Sequence, residues 1–364
     1  MNIVILGAGL MGRLLACELA RAGHQLTVFD AAGPQALNSA ARAAAAMLAP
    51  LAESAVADDR VVQMGLYGLK RWPELLATLP APVYFQQQGT LVVWHRQDQA
   101  DATRFTRLLQ ATNTRLPALP ALQSLDAQGL KPLEPGLAER FSQGLYLPGE
   151  GQLDNHQLLD ALLTELQQRQ VSLHWDSPRA PGDFTPGEPG QPDWVLDCRG
   201  LGAQAQWSQL RGVRGEVAML HAPNVHLSRP TRLIHPRYPI YIAPKENGIF
   251  KIGATEIESD DVSPVSVRSG LELLSAAYSV DPGFGEARIL ELVAQCRPTL
   301  PDNRPALRRL GARCLQVNGL YRHGYLIAPA MMDMVLQLVL SDNASLAQQF
   351  AVPVLRGNTV EQAA

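Results

Sequence analysis

The chain has 364 residues, of which 46% are hydrophobic and 18% charged. That is enough apolar material for two cores and too little charge for a solvated, disordered polymer. Thirty-one Lys and Arg against 34 Asp and Glu leave a formal charge of −3, so net charge gives no sign of a nucleic-acid-binding surface. Four scattered cysteines, Cys17, Cys198, Cys296 and Cys314, form no C-x-x-C pair, and neither a zinc site nor a disulfide framework is expected. Reduced thiols in a cytoplasm fit better. No apolar run is read as approaching the roughly 20 residues that span a bilayer, and Ile3 to Leu6 is too short for a signal-peptide core. The fold is expected to start at residue 2.

Asn2 to Leu6 reads as a buried strand that runs directly into Gly7-Ala8-Gly9-Leu10-Met11-Gly12 and a helical pattern ending near Gly23. A second strand, Gln25 to Phe29, closes on Asp30. This is a βαβ unit with G-x-G-x-x-G at its first turn. Gly7 serves the tight turn, Gly9 lets backbone approach a pyrophosphate, and Gly12 lets helix and strand pack closely. Asp30 would accept from ribose hydroxyls. A dinucleotide is implied, and the motif leaves NAD and FAD both open.

Next comes an alanine-rich run, Ala40 to Ala46, whose composition predicts a helix. Val62, Leu66, Leu69 and Leu76 space an amphipathic helix within Val61 to Leu79. Val83 to Trp94 alternates around Gly89 and reads as strands about a turn. Leu116 to Pro135, rich in Pro, Leu and Ala, suits a winding connection. Asp154 or Asn155 caps a helix through Gln170, and Val171 to Trp175 follows as a strand. Five prolines between Ser177 and Pro192 exclude regular structure there. Trp194 to Asp197 is another buried strand, in the same sheet as residue 3, and it ends at Gly200 and Gly202, a second place for backbone to approach a nucleotide. From Val213 to Thr255 short extended segments predict an antiparallel sheet. Leu315 to Leu320 is again extended and precedes a helix from about Ala330 to Leu340. The expected architecture is α/β (α+β overall): a Rossmann-like domain from residues 1–80, 140–212 and 296–364, and a second antiparallel-sheet substrate domain from 81–139 and 213–295.

Six blocks occur in a telling order: Gly7 to Asp30; Ala43 to Pro50; Asp197-Cys198-Arg199-Gly200; Tyr241-Ile242-Ala243-Pro244; Arg297-Pro298 with Asp302 and Pro305; and Arg322-His323-Gly324 with Ala328-Pro329-Ala330. Over nearly its whole length the chain thereby resembles flavin-dependent oxidoreductases of the D-amino-acid oxidase family. The resemblance implies noncovalent FAD and no metal. It implies hydride loss from the α carbon of a small amine or D-amino acid to the flavin, giving an imine, with dioxygen reoxidising the flavin to yield hydrogen peroxide. The likeness is greatest to members that oxidise glycine for the thiazole moiety of thiamine; a D-amino-acid dehydrogenase or sarcosine-oxidase-like enzyme, with Cys296 a conceivable covalent anchor, is the rival. A catalytically idle nucleotide-binding sensor or assembly subunit is the rival outside the enzymes.

Carried over residue by residue, Arg297 matches the carboxylate-binding arginine, whose planar fork grips a carboxylate bidentately. Tyr241 matches a tyrosine reaching the same carboxylate, and Arg322 a second arginine in the loop over the flavin. Ala45, Ala46 and Met47 fall in the flavin loop, Ala46 standing where the family commonly has glycine. Gly200, Arg322 and Gly324 border the cofactor, and the helix after Gly324 would turn its positive end toward the flavin. Ala49 and Glu256 line the substrate; an acid at 256, where some relatives are apolar, would attract amines or face water. His323 reads as a plain loop histidine rather than a base. The partners implied are a small amine and dioxygen, with no nucleic acid; homo-oligomerisation stays open.

Overall fold

The computed structural model describes residues 1–357. Seven strands form one sheet in the spatial order Val354–Arg356, Ala306–Gly311, Cys314–Asn318, Trp194–Asp197, Asn2–Leu6, Gln25–Phe29 and Ser172–His174. All neighbours are parallel except Ala306–Gly311 against Cys314–Asn318. The central strand buries Ile3 to Leu6 completely or nearly so, as a strand covered on both faces must. Helices Leu10–Arg21, Asp59–Ala77, Asn155–Gln168 and Gly324–Ser341 close one core around residues such as Ile5, Leu19, Trp72, Leu162 and Met331. Asp154 caps Asn155–Gln168 by accepting from the His156 and Gln157 amides.

Eight strands form the second sheet, in the order Arg288–Thr299, Arg211–His221, Ile249–Gly253, Ile240–Pro244, Thr231–Ile234, Thr90–Trp94, Gln143–Leu147 and Gln123–Asp126. It is antiparallel apart from Thr231–Ile234, which runs parallel to Thr90–Trp94, so the sheet is mixed rather than purely antiparallel. Helix Val267–Val280 lays Leu273 and Ala277 on Ile242 and Ile252. A small third sheet, Met47–Leu48, Gly151–Leu153 and Phe85–Gln86, carries chain from one sheet toward the other.

Several expectations are displaced. The alanine run is helical only over Ala40–Ala43; Ala44 is extended and Ala46 left-handed, with φ 54°. Propensity loses there to side chains that pull on the run's carbonyls, described below. Phe85–Gln86 and Thr90–Trp94 do not pair with each other but enter different sheets. Gln143–Leu147, which a boundary at 140 would give to the first unit, pairs within the eight-stranded sheet, and Arg288–Thr299 runs continuously across the boundary at 296. Residues 358–364 of the third expected segment lie outside the described residues.

Helices Gln99–Arg115 and Val267–Val280 were not foreseen. In the former only Ala102, Leu109 and Thr112 are buried, a stripe too thin to read. The helix expected from about Ala330 starts at Gly324 and contains Pro329. By length and composition Tyr321–Ser341 could cross a membrane, with mean hydropathy 1.5. The expectation of no such run therefore fails here; the helix is apolar because 67% of that stretch is buried within the protein.

Candidate active site

A cavity of about 1380 Å³ runs along the carboxyl ends of the parallel strands and over the second sheet. Gly7, Gly9, Asp30 and Gly200 border it at the Rossmann end. Gly7 has φ 92° and a Cβ there would lie 2.7 Å from the Cys198 carbonyl oxygen, so the turn admits only glycine. A Cβ on Gly12 would strike the Gly7 carbonyl oxygen; Gly12 acts through packing and does not border the cavity. Gly9 is different. A Cβ on it would meet only the Ser39 side chain, its Oγ at 3.1 Å, and Gly9 borders the cavity. Gly9 also begins helix Leu10–Arg21 without any side-chain cap, leaving first-turn amides for an anion. Asp30 accepts from the amides of Ala8 and Ala32, which fixes its carboxylate at the end of its strand. The buried Arg13, not singled out in the sequence, donates to the carbonyls of Ala8, Leu159 and Pro34 and ties the turn to the wall of the cavity.

Ala45, Ala46 and Met47 border the middle of the cavity. Two buried lysines, Lys251 in strand Ile249–Gly253 and Lys245 just past strand Ile240–Pro244, hold this loop from behind. Lys245 Nζ donates to the carbonyls of Ala45 (2.9 Å) and Leu153 (2.8 Å) and to Gln152 Oε1 (3.0 Å). Lys251 Nζ donates to the carbonyls of Arg42 and Ala44 and to Asn155 Oδ1. Neither is ion-paired among the described residues. Burial pushes Lys245 down to about 7 and Lys251 to about 8. Ala49 departs from expectation: the chain turns there into helix Pro50–Glu53, and Ala49 is buried among Leu51, Ala52, Val62 and Val92 rather than on the cavity.

Tyr241, Arg297, Arg322 and Glu256 do converge on the cavity. Tyr241 stands opposite Gly253 across two strands, and a Cβ on Gly253 would lie 2.5 Å from the tyrosine hydroxyl. Arg297 lies across Gly215, where a Cβ would collide with the guanidinium. Glycines thus clear the sheet surface for both side chains. Arg297 donates to the carbonyls of Arg214 (3.4 Å) and Thr255 (3.2 Å) and has no carboxylate partner among the described residues. Burial raises the Tyr241 hydroxyl above its ordinary range, against the pull of Arg297, Arg322 and Arg232, and keeps it a neutral donor.

Arg322 is bound on two sides, Nε to Glu53 Oε2 at 2.9 Å and Nη1 to Glu256 Oε2 at 2.7 Å. Glu53, missed in the sequence, also receives Arg232 at 2.5 Å and lies 3.3 Å from His323 Nδ1. Burial opposes its ionisation, yet Arg322, Arg232 and His323 hold it well below the usual carboxylate range. An acid in the apolar run Ala49 to Ala55 and an arginine in the strand Thr231–Ile234 were the available signals. Gly324 opens helix Gly324–Ser341 beside the cavity; nothing lies within 4 Å of a Cβ placed there, so its bareness serves whatever occupies the cavity.

A glycine turn with the bare Gly9 at an uncapped helix start, opening on a cavity that Arg297, Tyr241 and Arg322 also border, is the arrangement of a dinucleotide site beside a substrate site. The family model for FAD dependent oxidoreductases, DAO, matches residues 2–338, and the chain belongs to that family. A protein of Rhizobium etli provisionally named thiamine biosynthesis oxidoreductase ThiO is 39% identical over 346 residues, 94% of this chain and 97% of that one. The bifunctional ThiO/ThiG protein of Synechocystis sp. is 27% identical, and the match spans 52% of its length. The glycine oxidase of Geobacillus kaustophilus is 25% identical over 93% of this chain and 92% of its own. A glycine oxidase crystal structure from the same organism superposes with a TM-score of 0.78 at 23% identity, covering 93% of this chain and 94% of the other. The cofactor is FAD. Its fit rests on the bare Gly9 and Gly324 and on the uncapped helix start.

Proposed function

We propose that the chain oxidises glycine, or a comparably small amine such as sarcosine, and that its imine product serves the thiazole moiety of thiamine. The observation that carries this reading is Arg297, a cation without a carboxylate partner among the described residues, in the same cavity as the Tyr241 hydroxyl and the bare helix start at Gly324. Arg297 and Tyr241 bind the substrate carboxylate and aim the α carbon across the cavity. When bound there, FAD would supply the hydride acceptor and the route by which the electron pair reaches dioxygen as hydrogen peroxide. Ala45 to Met47 and the first-turn amides at Gly324 hold the ring, the amides favouring negative charge. No side-chain base takes part. His323 Nδ1 is turned to Glu53, and the substrate amine enters neutral. The strands of the larger sheet, including Gln143–Leu147, form the substrate domain, and the parallel sheet with its helices forms the FAD domain.

The flavin is noncovalent. Burial raises the Cys296 thiol, and its Sγ rests against the carbonyls of Ser259 and Asp261, which suits a thiol rather than an attacking thiolate. The protein works in the cytoplasm, alone or as a homo-oligomer. The test is anaerobic mixing of the yellow protein with glycine. Its visible absorbance should bleach, α-deuterated glycine should slow the bleaching, and air should restore the colour with release of peroxide. Acid precipitation should free the flavin. His323→Ala should bleach within about tenfold of wild type, since loss of a true base costs on the order of 10²–10⁴-fold. Failure of every small amine to bleach the protein would overturn the reading.

A further inference from the structure

Arg297 and Arg322 border one cavity but are not equivalent cations. Arg297 Nη2 donates to the Thr255 carbonyl at 3.2 Å, a neutral partner that leaves its charge without a carboxylate among the described residues. The next residue, Glu256, has both oxygens engaged: Oε2 takes Arg322 Nη1 at 2.7 Å and Oε1 the Tyr321 hydroxyl at 2.6 Å. Arg322's other edge is held by Glu53. Glu53 is a buried fixture, shared with Arg232 and His323, whereas the Glu256 side chain is 46% exposed and borders the cavity.

Building on the amine-oxidase reading, we infer that Glu256 is a specificity-determining residue that confines the site to amines bearing a single carboxylate, by occupying the donors that a second carboxylate would use. Around Tyr241 the guanidinium groups of Arg232, Arg297 and Arg322 face the carboxylates of Glu53 and Glu256, which leaves one positive charge for one substrate carboxylate. A second carboxylate on the same amine would approach Arg322 and meet Glu256 head on, with the Arg322 edge and the Tyr321 hydroxyl already taken. Like charges in juxtaposition reject such a ligand more effectively than lost contacts do. Without the acid, Arg322 Nη1 and the Tyr321 hydroxyl form a ready donor pair, and the local charge suits two carboxylates. Glu256 is therefore a fixed stand-in for the substituent the site refuses.

The experiment compares wild-type, Glu256→Gln and Glu256→Met holoenzymes. One readout is kcat/KM for glycine against iminodiacetate, an amine with two carboxylates. The other is Kd for acetate against malonate, read from perturbation of the flavin spectrum. In both variants the preference should move toward the dicarboxylate by about tenfold or more in each ratio. Ratios within twofold of wild type, in variants with full FAD content and wild-type Tm, would overturn the inference. If the wild type oxidised neither amine, the amine-oxidase reading would fall, and the malonate to acetate ratio would still decide the role of Glu256.

Discussion

The indole Nε1 of Trp72 donates to the carbonyl oxygen of Tyr325 at 2.9 Å, the oxygen that Pro329, four residues on and lacking an N–H, cannot serve. Helix Asp59–Ala77 thus repairs the gap in Gly324–Ser341. Gly65 and Gly68 let it come close, since a Cβ on either would run into Leu326. The repair lets this helix begin at Gly324, on the cavity, instead of after the proline. Trp72→Phe leaves a buried carbonyl without its donor and should cost about 1–3 kcal/mol in urea unfolding, with weaker FAD binding. Unchanged stability would mean that the helix holds its start without Trp72.

Ala46 has φ 54° and is buried beside the cavity. An L-residue in the left-handed region is strained by about 1–2 kcal/mol, and glycine's extra backbone entropy offsets only about 0.5–1 kcal/mol of that relief. Ala46→Gly should therefore raise the stability of the apoprotein slightly and tighten FAD binding, whereas Ala46→Val should lower both. Thermal unfolding with and without FAD measures the two effects. A destabilised Ala46→Gly would show that the loop is not strained at this residue.

The contrast between Gly12 and Pro329 shows which parts of the molecule were legible in its sequence. The βαβ turn is written locally: strand, glycines, helix and Asp30 fall within 30 residues, and each glycine answers to its own backbone geometry. Pro329 looked like the start of a helix because the carbonyl it leaves unserved, that of Tyr325, is compensated by Trp72, 253 residues from Tyr325. Glu53 and Arg232 meet across 179 residues, and nothing near either announces the other. Lys245 and Lys251 lie in the stretch Val213 to Thr255, which reads only as short extended segments. Their sequence neighbours do not reveal that the acceptors are carbonyls of the alanine loop, whose own composition argued for helix.

Those lysines give the chain a pH dependence with a definite sign. Their folded pKa values, about 7 and about 8, lie below the ordinary 10.5 because burial disfavours the ammonium. Between those limits the unfolded chain binds more protons than the folded one, so their contribution to stability is full above the unfolded pKa and is lost as pH falls through the folded values. Comparing wild type with Lys245→Met/Lys251→Met, the Tm difference in favour of wild type should grow from pH 7 to pH 10. The double variant should also bind FAD more weakly at every pH, because Ala44 and Ala45 lose their donors. A Tm difference that is flat or shrinks with pH would contradict the charge assignment.

Arg297 and Gly215 yield the most direct test of the site. The guanidinium occupies the space above Gly215 that a Cβ would take, and among the described residues it has no carboxylate to neutralise it, so a bound substrate carboxylate would be its ionic partner. Arg297→Ala should lower kcat/KM for glycine by about 2–5 kcal/mol of transition-state stabilisation, the range for truncating one member of a desolvated charge pair. Arg297→Lys should recover only part, since an ammonium cannot reproduce the planar fork. Gly215→Ala keeps the arginine but displaces it. It should therefore raise KM while both the FAD content and the acid-released flavin stay at wild-type levels. That separates substrate positioning from cofactor binding: loss of flavin in Gly215→Ala would place Arg297 in the cofactor site, and wild-type kcat/KM in Arg297→Ala would remove it from the chemistry altogether.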